Sequence, residues 1–202
     1  MALPYMRAAP VQAGFTLIEL LVTMTIAAIL LAIAVPSFNS SIASARASDG
    51  ANSLLGALEL ARSEAVRRGV TVSVCRVTVV PATACNNTAA GSFVVGDWAA
   101  GWMVFADNGS GSTAGVFEPA LAPTPDEAVN FQQQFAPGAA TRVEIVEAAG
   151  VGIATYRPDG LRVGAPLVFR VAYPQAAQGA GQSCRQVTVN ATGQAVIARI
   201  NC

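Results

Sequence analysis

The sequence predicts an α+β fold, with one long N-terminal helix packed on an antiparallel head of two small sheets. Three observations predict it. An apolar run opens the chain, its helical period continues through a polar-faced stretch, and beyond Gly69 the period changes from helical to two.

The apolar run comes first. Residues 15–35 contain a single charge, Glu19. As a helix this stretch would be about 31 Å long, close to the hydrocarbon thickness of a bilayer. Arg7 precedes it and Arg46 is the next charge after it, so the positive-inside rule leaves the N-terminus in the cytoplasm and sends the remainder across. An ordinary signal peptide is one reading, because Ala32-Ile33-Ala34 and Ala43-Ser44-Ala45 fit the small-residue cleavage pattern. Glu19 argues against it, since an acid in mid-membrane costs about 2.5–3.5 kcal/mol on insertion scales. The helical pattern also runs past both sites.

Beyond Pro36, the residues Ile42, Leu54, Leu58, Ala61 and Ala65 recur at helical spacing. Glu59, Arg62, Arg67 and Arg68 are interspersed as a solvated or partner-facing side. Arg67 and Arg68 suit the C-terminal end of the helix dipole, and Gly69 supplies the stop. The expected helix therefore covers residues 15–68, kinked where Pro36 removes a backbone donor. A cut after Ala34 would divide it. A cut between Gly14 and Phe15 would instead place a new amine four residues before Glu19, on the same helix face. Two opposite charges that neutralise each other in lipid are far cheaper than one alone.

The rest of the chain reads as strands. Residues 70–80 form a β-branched alternating run ended by Pro81, and further candidates lie at 101–106, 129–135, 142–146, 152–157, 167–173, 184–190 and 194–200. Turn chemistry separates several of them, at Asp107-Asn108-Gly109, Pro158-Asp159-Gly160 and Ala191-Thr192-Gly193. Residues 108–115 and 175–183 read as flexible loops. Trp98 and Trp102 are expected in the core between sheet and helix, with an exposed platform as the alternative. Four cysteines, Cys75, Cys85, Cys184 and Cys202, behind a membrane-targeting segment suggest two disulfides in an oxidising compartment. Three pairings are open. The local one, Cys75–Cys85 with Cys184–Cys202, closes two hairpin-sized loops and is favoured over four free thiols.

Little in the composition points to chemistry. The twelve basic residues are all arginines, balanced by twelve acids, and the chain has no histidine and no lysine. That excludes Ser-His-Asp and Cys-His catalysis, the H-E-x-x-H zinc motif and the lysine-bearing phosphate loop. Glu144 and Glu147 read as a solvated strand edge and not as an acid/base pair. Asp107-Asn108-Gly109-Ser110-Gly111 lacks the distal glutamate of a calcium loop and reads as a turn. No catalytic residue, metal or cofactor is expected.

The stretch "GFTLIELLVTMTIAAILLAIAVPSF" (residues 14–38) resembles the leader and first helix of type IV pilins and type II secretion pseudopilins. Residues 54–75 ("LLGALELARSEAVRRGVTVSVC") and 97–107 ("DWAAGWMVFAD") are similar to the FimT/GspH minor pilins. The resemblance implies a pilin-like fold and four segments: a leader (1–14), a transmembrane assembly helix (15–35), its amphipathic continuation (36–68) and a periplasmic β-rich head (69–202). It implies cleavage by prepilin peptidase between Gly14 and Phe15, N-methylation of Phe15, and a registering role for Glu19 in a fibre of minor and major pilins. The subunit would sit in the inner membrane as a single-pass protein until it is assembled into a pilus or pseudopilus. Some FimT-like pilins take up DNA through a C-terminal G-R-x-R motif. Here the corresponding residues are Gly193-Gln194-Ala195-Val196, so the charged element is missing. Arg157, Arg162, Arg170, Arg185 and Arg199 remain as candidate DNA contacts. With Glu144, Glu147 and Asp159 nearby, a mixed solvated surface is the expected reading, DNA capture the alternative.

Overall fold

The computed structural model describes residues 14–77, 100–107, 129–133, 143–173 and 183–201, together with Cys85, Trp98 and Phe117. Its elements are α1 (Leu17–Arg68), β1 (Thr71–Arg76), β2 (Trp102–Asp107), β3 (Val129–Gln133), β4 (Glu144–Glu147), β5 (Ile153–Tyr156), β6 (Leu167–Ala172), β7 (Ser183–Val189) and β8 (Ala195–Asn201). Each strand falls on one of the eight alternating runs. The chain divides into two compact units, Met1–Asn39 and Ser40–Cys202.

The second unit, the head, is built on the C-terminal part of α1. Ala51, Leu54, Leu58, Ala61 and Ala65 are wholly buried and, with Ala57, form the stripe that the spacing predicts. The stripe is rich in alanine, and Gly50 is buried just before it, so the sheets approach closely. A Cβ on Gly50 would lie 2.9 Å from Val143 Cγ1. The helix ends where Gly69, at φ 68°, donates its N–H to the Ala65 carbonyl.

The strands form two antiparallel four-stranded sheets, ordered β3-β2-β1-β5 and β4-β6-β7-β8. The inner faces of both contribute to the core around the helix stripe. Trp98 and Trp102 are fully buried there, and Trp98 meets Phe169 edge-to-face at 5.1 Å. The indole N–H of Trp98 donates to the Val151 carbonyl at 3.2 Å. The core is their place, as expected for lone aromatics in a strand-rich head.

In the first sheet β1 and β2 are buried on both faces, because a second cluster covers the outer one. Cys75, Val77, Met103 and Phe105 meet Cys85, Phe117 and Ile153 there. Cys75 and Cys85 are disulfide-bonded, with Cα atoms 5.6 Å apart. Cys184 is buried and also disulfide-bonded, while its expected partner Cys202 lies outside the described residues. So do the Asn108–Gly109 turn and the loops at 108–115 and 175–182. Cys85→Ser opens a ten-residue loop, and should cost about 2–3 kcal/mol of head stability by chemical denaturation. An unchanged midpoint would show that the bridge contributes nothing.

One reading of the sequence is overturned. Glu147 is not on a solvated edge but is 3 % exposed, as the last residue of β4. Its Oε2 accepts the N–H groups of Ala149 and Val151, each at 2.8 Å, and so closes the turn after β4. The tight turn leaves those donors without strand partners, and a carboxylate two to four residues upstream satisfies them.

Candidate functional site

The N-terminal segment starts as an uncapped-looking apolar run but carries its own cap. Gly14, Phe15 and Thr16 precede α1. The hydroxyl oxygen of Thr16 accepts the Glu19 N–H at 3.3 Å, and its carbonyl accepts the Leu20 N–H at 3.2 Å. Thr16-Leu17-Ile18-Glu19 has capping-box spacing, and Glu19 lies in the first turn, where a negative charge complements the helix dipole. Glu19 is thus placed to stabilise the helix start.

From Leu17 to Ala34 the helix is long and apolar enough to cross a membrane, and none of that window is buried by the rest of the chain. Phe15 is 85 % exposed, and Leu17, Ile18, Met24 and Ile33 are exposed too. The two threonines of the window do not leave polar groups unpaired. Thr23 donates to the Leu20 carbonyl at 3.0 Å and Thr25 to the Val22 carbonyl at 2.8 Å, which suits them to hydrocarbon. Pro36 lies within α1, downstream of this window.

The arginines of the head fall into two groups at opposite ends of its helix. Arg157 is exposed and paired with Asp159 at 2.8 Å. Arg162 is only 8 % exposed, which removes it from the candidate DNA contacts. Its neighbours Leu161 and Val163 face outward because a bridge sets Arg162 directly opposite the core residue Tyr156. Arg162 also donates its backbone N–H to Ala191, and so ties the β5–β6 loop to the β7–β8 turn. Arg185 and Arg199 lie at the other end, directly opposite each other on β7 and β8. Arg185 Nη2 donates to Ser44 Oγ at 3.3 Å, whereas Arg62 Nε donates to the Gly160 carbonyl at 3.2 Å. Ser44 and Arg62 are about 27 Å apart along the helix. Arg170 is on the outer face of the second sheet, paired with Gln186. No single arginine surface results.

Two family models match this chain. The type II transport protein GspH model matches residues 50–193, and the prokaryotic N-terminal methylation motif matches residues 10–35. The chain belongs to the GspH family. It is also similar to the type IV minor pilin FimU of Pseudomonas aeruginosa in two crystal forms. One aligns at 17 % identity over 75 % of this chain and 91 % of FimU, with a TM-score of 0.46. The other aligns at 18 % identity over 76 % and 88 %, with a TM-score of 0.48. No curated protein sequence matches.

Within the GspH-family head, Tyr156 and Arg162 form a polar pocket of the core that the sequence does not reveal. The Tyr156 hydroxyl and the Nε and Nη1 of Arg162 are buried with no hydrogen-bond partner among the described residues. Burial, reinforced by the Glu59 carboxylate, pushes the Tyr156 hydroxyl well above its ordinary value, with Arg162 and Arg62 acting in the opposite sense. The fold therefore disfavours the phenolate. Stability is unaffected below the unfolded value near about 10 and falls as the pH rises above it. Tyr156→Phe removes an unpartnered hydroxyl, so stability at neutral pH should change by less than about 1 kcal/mol. The alkaline unfolding midpoint should move upward. Thermal melts across the alkaline range check both, and a large loss at neutral pH would show that the hydroxyl is bonded after all.

Proposed function

We propose that this chain is a minor pilin or pseudopilin subunit, a structural protein without catalytic activity. Prepilin peptidase cleaves it between Gly14 and Phe15 and methylates the new amine. Leu17–Ala34 holds it in the inner membrane with the N-terminus cytoplasmic and the head periplasmic, and Pro36 lets the helix bend where it leaves the bilayer. From there it assembles with other minor and major pilins into a type IV pilus or a type II secretion pseudopilus.

The observation that carries this reading is a coincidence of boundaries. The methylation motif covers residues 10–35, and within that range lie the capped helix start at Thr16–Glu19 and the unburied apolar window. A helix whose apolar residues are exposed all round needs either lipid or other helices for company. In this reading both serve in turn: lipid before assembly, neighbouring helices after it. Glu19 and the Phe15 amine set the register by pairing across subunits.

The mature N-terminus tests the proposal. Mass spectrometry of the protein from the membrane fraction should find a chain beginning at N-methylated Phe15. A chain beginning at Val35 would show ordinary signal-peptidase processing and remove the assembly role.

A further inference from the structure

We propose that Arg162 and Tyr156 form a binding site for a small monovalent carboxylate, where the β5–β6 loop folds against the core of the head. The bridge sets the two residues directly opposite each other, so their side chains share one face of the sheet. Tyr156 is wholly buried and Arg162 is more than nine-tenths buried. The Tyr156 hydroxyl and the Nε and Nη1 of Arg162 meet no hydrogen-bond partner among the described residues. Burial keeps the phenol protonated at neutral pH, so its hydroxyl can donate. The guanidinium keeps its charge and its donors.

The acids of this region do not supply an acceptor. Glu147 attracts Arg162 through space, but its carboxylate is committed to the backbone. It accepts the N–H groups of Ala149 and Val151 at 2.8 Å and that of Val168 at 3.5 Å. Glu59 accepts the Ala195 N–H at 3.3 Å, and Asp159 is paired with Arg157. Charge around the site is close to balanced, with Arg62 and Arg162 set against Glu59 and Glu147. The need that remains is directional: three buried polar atoms that can donate. Leaving buried donors unmet is costly.

The donor set selects the ligand. A carboxylate offers two oxygens and about four lone pairs, and its plane matches a guanidinium. A second negative charge, as on phosphate, would be repelled by the Glu147 carboxylate. Gly164 gives access. It has φ 92°, and a Cβ there would stand 3.9 Å from Nη1 and 4.0 Å from Nη2 of Arg162. Beyond its chain neighbours, no other described atom lies within 4 Å of that position. A side chain would cover this end of the guanidinium, whereas glycine leaves it open, and residues 163–166 are exposed. The carboxylate comes either from solution or from an acidic side chain of a second copy of the chain, and the two sources are separable.

The test uses the full-length chain in neutral detergent micelles at neutral pH, with its arginines isotopically labelled for NMR. Arg162→Gln identifies the Arg162 Nε–H signal by its loss. Sodium acetate is then compared with sodium chloride at equal ionic strength. Acetate should shift the signal saturably, with half-saturation below about 20 mM. It should also slow exchange of that proton with water at least about fivefold. Tyr156→Phe should fold like the wild type in acetate-free buffer and bind acetate at least about threefold more weakly, through loss of one hydrogen bond. If Arg162→Gln fails to fold, the signal is assigned through its bonds to the backbone, and the Tyr156→Phe comparison still decides. A shift that tracks protein concentration without acetate, and that acetate reverses, supports the site with a second copy as the source. No saturable shift up to about 100 mM acetate overturns the proposal. An equal response to chloride also overturns it, because the site then has no preference for a carboxylate. So does an Nε–H already protected without acetate at every protein concentration, since an internal group or water then meets it.

Discussion

Gly193→Ala should destabilise the head by about 3 kcal/mol or more, lowering its thermal midpoint by roughly 10 °C. Two effects add. Gly193 has φ 79° in the β7–β8 turn, where its N–H donates to the Asn190 carbonyl at 2.9 Å. A left-handed backbone costs an ordinary residue about 1–2 kcal/mol. The second effect is steric. A Cβ at this position would stand 2.1 Å from the Gly160 carbonyl oxygen and 3.2 Å from Arg62 Nε. That same oxygen accepts the Arg62 hydrogen bond, so moving it breaks the link between α1, the β5–β6 loop and the β7–β8 turn. Gly56→Ala is the control. It sits in the exposed middle of the helix with nothing within 4 Å of its Cβ position, and the change should stabilise by about 0.5–1 kcal/mol. Equal and small effects at both positions would mean that the Gly160–Gly193 contact is not formed in solution.

The contrast between these glycines shows what one sequence can and cannot tell. Both are single letters between ordinary neighbours. The turn signal around Gly193 is local and legible, because Asn-Ala-Thr-Gly announces a positive φ. The close approach of the Gly160 carbonyl is not, since it depends on two loops some thirty residues apart meeting over Arg62. The same division holds for the elements. Helix and strands follow from period, and the helix stripe from Leu54 to Ala65 is the buried one. Yet β4 and β5 join different sheets, a choice that long-range pairing makes and that no local pattern records.

The site residues divide in the same way. Hydropathy alone would turn Leu161 and Val163 inward and Arg162 outward, and the bridge to Tyr156 reverses that order. Arg185 and Arg199 are fourteen residues apart in sequence and adjacent in space only because a tight hairpin fixes their register. Arg46 carries no motif. Its place beside Tyr173 emerges only when β6 is laid on the helix. One missed signal was local after all: Thr16-x-x-Glu19 is a capping box visible in the sequence.

That capping box sharpens the largest functional prediction, which concerns Glu19. Glu19→Ala should leave cleavage at Gly14–Phe15 largely intact yet reduce incorporation into the fibre by tenfold or more, since about 1.4 kcal/mol of lost contact already gives tenfold. Alanine removes two things at once: the charge proposed to pair with the Phe15 amine and the acid that favours the first turn. Glu19→Gln separates them. Glutamine keeps the capping-box chemistry, so the helix start is retained, but it carries no charge. If the carboxylate acts by pairing with the cleaved amine, both variants should be processed and methylated, and both should fail to enter the fibre. If Glu19 acts chiefly as a cap, the glutamine variant should assemble like the wild type and only the alanine variant should fail. Thr16→Ala extends the comparison from the other side, removing the hydroxyl that accepts the Glu19 N–H at a cost of about 1 kcal/mol to the helix start. It leaves the charge in place. Under the pairing reading it should reduce incorporation far less than Glu19→Gln, and the opposite order would assign Glu19 to the helix and not to the fibre.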